Sequence, residues 1–61
     1  MQTTSRLREL RDGAALSQED LAKKANVSRA TVAELEAGKR PARPSTRRKL
    51  AEALGVAPHQ L

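Results

Sequence analysis

The chain contains no cysteine, no aromatic residue and a single histidine, His59. Without cysteine there is no disulfide and no thiolate metal site, and one histidine cannot build a histidine cluster. The absence of Phe, Tyr and Trp counts against single-stranded nucleic acid and sequence-read RNA, whose bases are held largely by stacking on aromatic rings. No apolar run approaches the roughly 20 residues that span a bilayer. The start of the chain has no apolar signal-peptide core, so a cytoplasmic location is expected. No helix joins a basic face to large exposed apolar residues, which argues against a membrane-surface binder. Nucleophile–base pairs and glycine-rich phosphate loops are missing too, so neither an enzyme, a cofactor nor a small-molecule substrate is expected. Acid is in short supply relative to base. Twelve Lys and Arg stand against seven Asp and Glu, a net charge of +5 and an isoelectric point near 10.8. That balance suits a polyanionic partner if the charge is gathered in one place. Sixty-one residues suffice for one domain, 1–61, of a size that buries only about 60% of its unfolded surface.

What is present centres on the run from Leu16 to Gly38, LSQEDLAKKANVSRATVAELEAG. It reads as two short helices joined by a tight corner, a motif over residues 17–37. Ser17 can cap the first helix, with Asp20 reaching back to complete a capping box. Leu21, Ala22 and Ala25 then share one face at helical spacing. Asn26 tolerates positive φ at modest cost, which permits a sharp corner. Val27 plugs the space between the helices and Ser28 caps the second one. Gly38 closes the element as a residue just beyond a helix end does.

At about 100° per residue, a buried centre of Ser28, Val32 and Leu35 leaves Ala30, Ala33, Glu34 and Ala37 facing outward, with Arg29 beside them. That face is slim. A helix meant only to meet water would carry Lys, Glu and Gln at such positions, whereas small side chains let it approach another surface closely.

Gln18, Leu21, Ala22, Ala25, Val27, Ser28, Val32, Leu35, Glu36 and Gly38, together at this spacing, resemble the helix-turn-helix of the phage-repressor and Cro (XRE-type) family. The resemblance extends over nearly the whole chain. It implies an all-α fold, a compact lambda-repressor-like domain of four to five helices. It also implies sequence-specific binding of double-stranded DNA, with the helix from about Ser28 to Ala37 in the major groove. Arg29 would then read guanine O6 and N7, Glu34 would accept from a cytosine N4, and Ala30 or Ala33 would touch a thymine methyl. Thr31 would meet a phosphate or a base, Gln18 the backbone or an adjacent base, and Ser28 a phosphate. Family correspondence also pairs Arg11, late in the first helix, with Glu36 as a structural ion pair. Members commonly dimerise on paired half-sites, so the partner state is a monomer alone or a homodimer on DNA. The alternative is a protein-interaction, antitoxin-like module, in which the alanine face packs on another polypeptide. Aromatic-free, alanine-rich helices suit a designed DNA binder as well as a natural fragment.

The flanks fit the same picture. Thr4 or Ser5 caps a first helix that carries Leu7 and Leu10 and runs to about Asp12, with Gly13 as a candidate end, although the family's glycine falls nearer Ala15. From Lys39 to Lys49, KRPARPSTRRK holds six of the twelve basic residues and no acid. Pro41 and Pro44 make its first part a stiff loop, and the next helix begins at Ser45 as cap or at Pro44 itself. Lys39, Arg40 and Arg43 are candidates to neutralise phosphates, with Arg47 and Arg48 behind them. Leu50, Ala51 and Leu54 form the buried stripe of the fourth helix, which Gly55 ends. Pro58 opens a last turn, and His59 faces solvent. The expected core is Leu7, Leu10, Leu16, Leu21, Ala22, Ala25, Val27, Val32, Leu35, Leu50, Ala51, Leu54, Val56 and Leu61.

Overall fold

The left-handed residue that terminates each helix organises the fold. A computed structural model describes residues 6–39 and 41–61; the cap expected at Thr4 or Ser5 and the phosphate contact expected of Arg40 lie outside them. Among the described residues the chain is all-helical: α1 Arg6–Gly13, α2 Gln18–Ala25, α3 Arg29–Glu36, α4 Pro44–Leu54, and a 3-10 turn Pro58–Gln60. This is the all-α architecture expected from the sequence.

Ala15, Asn26, Gly38 and Gly55 all have positive φ, at 60°, 60°, 72° and 72°. In each case the next residue donates its N–H five residues back: Leu16 to Arg11, Val27 to Ala22, Lys39 to Glu34 and Val56 to Ala51, at 2.9–3.1 Å. This is the Schellman closure, which satisfies the last carbonyls of a helix while turning the chain away. Three of the four donors, Leu16, Val27 and Val56, are half-buried apolar residues. The fourth is exposed Lys39, so α3 alone ends by sending a cation outward.

Two expected boundaries shift. Helix α1 continues through Gly13, and the residue beyond it in left-handed conformation is Ala15, the position where the family's glycine was expected. Helix α4 begins with Pro44 in its first position and Arg43 as a cap without a side-chain hydrogen bond. Ser45 is therefore not the cap, because the fixed φ of proline has already set the first turn.

Helix α2 packs on both α3 and α4, α1 packs on α3, and the terminal 3-10 turn packs on α4. Leu21, Val32 and Leu50, one each from α2, α3 and α4, are the largest fully buried side chains. Burying each contributes roughly 1.5–3 kcal/mol. Leu7, Ala22, Ala25, Ala51 and Ala53 complete the buried apolar set. Leu16, Val27, Leu35, Leu54 and Leu61 are partly buried against this core, and Leu10 and Val56 are half-buried. Ala53 was not anticipated, and neither was Arg11, 9% exposed.

Candidate nucleic-acid interface

Helix α3 is fixed at its start by Ser28, whose hydroxyl accepts the Thr31 N–H at 3.0 Å. Ser28 Oγ and Thr31 Oγ1 lie a further hydrogen bond apart, at 2.8 Å. Ser28 is exposed and not in the buried centre of the helix. As the cap it has extended backbone (φ −79°, ψ 153°), so it leaves the helical wheel on which it was placed. One helix earlier in the motif, Ser17 and Asp20 form the full capping box: Ser17 Oγ accepts the Asp20 N–H at 3.0 Å and the Ser17 N–H donates to Asp20 Oδ2 at 3.2 Å. Hydrogen bonds from the Ser17 backbone and hydroxyl hold the Asp20 carboxyl below its usual value.

Val32 is the buried anchor of α3. Arg29, Ala30 and Ala37 are exposed, whereas Thr31, Ala33 and Glu34 are half-buried. Because α3 packs on both α2 and α1, its accessible strip is narrower than a wheel drawn from sequence suggests. The strip carries the methyl groups of Ala30, Ala33 and Ala37, with Arg29 at its N-terminal end and Thr31 and Glu34 half-buried along it.

Two depressions border it. One, of about 350 Å³, is lined by Thr31 and Leu35 of α3, Pro41, Ala42 and Arg43 of the loop, and Thr46 of α4. The basic loop and the helix therefore face a common cleft, and Thr46 is a polar lining residue that the sequence reading did not single out. The other is lined by Arg11, Ser17, Gln18, Glu19 and Arg29, which brings the first residues of α2 and α3 together. Lys39, Arg43, Arg47 and Arg48 are all exposed.

Beneath the strip, α3 is tied to α1. Arg11 Nε donates to Glu36 Oε2 at 2.6 Å and Arg11 Nη2 to Glu36 Oε1 at 3.0 Å, while Arg11 Nη1 reaches the Leu16 carbonyl at 2.8 Å. The side chains of Arg11 and Glu36 are 11% and 5% exposed. Gln18 Nε2 also donates to Glu36 Oε1, at 3.1 Å. Burial pushes the Glu36 carboxyl up, but the hydrogen bonds from Arg11 and Gln18 outweigh it, and the carboxyl sits below its ordinary value. Its hydrogen bond to Glu36 raises the Arg11 guanidinium. The bond from Gln18 to Glu36 was not foreseen, since a glutamine at a helix start gives no sign of its partner.

Residues 7–61 match the helix-turn-helix family. This chain belongs to the XRE-type helix-turn-helix family. The family is one of DNA-binding transcription regulators. Among solved structures, the chain is similar to the restriction-modification controller protein C.AhdI from Aeromonas hydrophila. The two are 42% identical with a TM-score of 0.86, over 90% of this chain and 83% of that one. No match was found among curated proteins. In this helix-turn-helix chain, no group of three His, Cys, Asp or Glu that could hold a metal ion occurs among the described residues. No helix of those residues is long and apolar enough to cross a membrane.

Proposed function

We propose that this chain is a sequence-specific regulator that lays α3 in the major groove of double-stranded DNA. Arg29 reads a guanine, Glu34 a cytosine amine, and Ala30 and Ala33 give close approach to thymine methyls. Lys39, Arg40 and Arg43 neutralise the flanking backbone, assisted by Arg47 and Arg48, with Thr31 and the hydroxyl of Ser28 as polar contacts. The observation that carries this reading is the shared cleft between Thr31 of α3 and Arg43 of the basic loop: a groove-bound helix needs cations where the adjoining phosphates run. The similarity to a restriction-modification controller makes control of such genes the first biological role to test.

Selection from randomised duplexes at two salt concentrations tests the proposal, with sedimentation to count subunits on the recovered site. A defined sequence motif, bound with affinity that falls steeply as salt rises, is the expected result. Recovery of no motif at either salt overturns it.

A further inference from the structure

A further depression, of about 180 Å³, adjoins the cleft that holds Thr31 and Arg43. Leu7 of α1, Leu35 of α3, Leu50 of α4 and Leu61 at the chain's last residue give it an apolar lining. Arg6 and Arg47 also line it, and none of its lining residues is acidic. Arg6 is already held: its Nε donates to the Gln60 carbonyl at 3.1 Å and its Nη1 to Glu9 Oε1 at 3.4 Å. Arg47 is exposed and makes no ion pair among the described residues. It stands three residues before fully buried Leu50, a spacing that puts both on one face of α4. A cation without a partner therefore borders an apolar floor. Pro41 and Ala42 of the basic loop, with Leu35, line both this depression and the Thr31–Arg43 cleft.

We infer that this depression binds a short unbranched aliphatic carboxylate, tail on the leucines and head group on Arg47, and that its occupant opposes DNA binding. Volume sets the tail. An apolar cavity of about 150 Å³ holds benzene, so this one takes a chain of on the order of five or six carbons. Charge sets the head, because a guanidinium pairs with a carboxylate through two parallel hydrogen bonds. The opposition to DNA follows from the shared cation: an Arg47 engaged by a carboxylate is lost to a backbone phosphate. By linkage, DNA weakens the carboxylate by the same factor. This second step rests on the proposed phosphate contact of Arg47; the binding itself does not.

The test titrates sodium hexanoate into the full chain with isotope-labelled leucine methyls, followed by NMR. Sodium acetate supplies the head group without the tail, and 1-hexanol the tail without the charge. Saturating shifts at Leu7, Leu35, Leu50 and Leu61 are expected, with a dissociation constant on the order of 1 mM. Each methylene removed from the tail is expected to weaken binding about fourfold. Arg47→Gln is expected to weaken hexanoate several-fold, and Ala42→Leu, which fills the depression, to abolish its binding, with thermal unfolding recorded to confirm that both variants fold. Duplex affinity is then measured at constant ionic strength with hexanoate replacing acetate. A several-fold loss is expected in the parent chain and none in Ala42→Leu. Shifts spread over all leucines without saturation, or undiminished in Ala42→Leu, overturn the site. Equal binding of 1-hexanol, or full affinity in Arg47→Gln, overturns the carboxylate. Saturating shifts beside an unchanged duplex affinity overturn the opposition to DNA. A parent chain that binds no duplex defeats the proposed function, and the methyl titration still decides the site.

Discussion

Glu36 engages Arg11 through both carboxylate oxygens, at 2.6 and 3.0 Å, across the gap between α3 and α1. Both side chains are nearly sequestered from water, so neither has solvent as an alternative partner. Removing Glu36 leaves Arg11 with the Leu16 carbonyl and with exposed Asp12 at 3.3 Å, so the cost falls below the ~3–5 kcal/mol of a buried charge left without any partner. A domain of this length has a total stability of only roughly 3–9 kcal/mol. Glu36→Ala is therefore expected to remove a sizeable part of that stability while leaving the chain folded, read as a clear fall in the urea midpoint. Replacing Arg11 and Glu36 together by apolar residues of similar volume is expected to cost much less than either single change.

The same carboxyl makes stability depend on pH. Its native value lies below the ordinary 4.5, so in acid the unfolded chain binds a proton more readily than the folded one. Stability from this group is complete above the unfolded value and is lost as pH falls through the lowered native value. Asp20, held low by Ser17, acts in the same direction. Urea unfolding at stepped pH below about 4.5 is expected to show falling stability, with a shallower slope in Glu36→Gln, which has no proton to gain. An identical slope in that variant refutes the assignment to Glu36.

At the end of α1, a glycine and an alanine occupy each other's better positions. Ala15 is exposed with φ of 60°, a conformation that costs a residue with a Cβ about 1–2 kcal/mol. Gly13 is the last residue of the helix, with open space where a Cβ would stand. Ala15→Gly is expected to stabilise by about 0.5–1 kcal/mol, since glycine relieves the strain but loses more chain entropy on folding. Gly13→Ala adds a similar gain through helix propensity. Together they are expected to raise the melting temperature by several degrees. A fall in melting temperature for Ala15→Gly contradicts the left-handed assignment.

The helix caps and the corner were legible because they are local chemistry. Ser17 with Asp20, Ser28 before Thr31, Asn26 and the glycines 38 and 55 each act on backbone within a few residues, so sequence spacing carries the information. Ala15 escaped that logic, because no propensity marks alanine for a left-handed position and only the five-residue return of Leu16 to Arg11 requires it. Ser28 was assigned to the wrong face for a related reason: a wheel assumes helical backbone, and a cap does not have it. Gln18 shows where single-residue reading stops. Its amide partner lies 18 residues further along, on a helix whose crossing with α2 is a tertiary property. The charge of the loop was plain in the sequence, but that Arg43 shares a cleft with Thr31 and Thr46 depends on how α3 and α4 meet.

Two arginines separate base reading from backbone attraction. Arg29 begins α3 and borders the depression beside the start of α2, whereas Arg43 precedes α4 and borders the separate cleft it shares with Thr31 and Thr46. Arg29→Ala is expected to cost about 1–3 kcal/mol on the best site and to relax preference at one base pair, with binding to unrelated duplexes little changed. Arg43→Ala is expected to weaken all sequences alike and to flatten the plot of log affinity against log salt by about one unit. Fluorescence titrations of both variants on the selected site and on a scrambled duplex, at several salt concentrations, measure both quantities. The reverse pattern, with Arg43→Ala altering base preference and Arg29→Ala altering only the salt slope, requires α4 and not α3 to face the base edges. The methyl-lined strip of α3 then has no part in recognition.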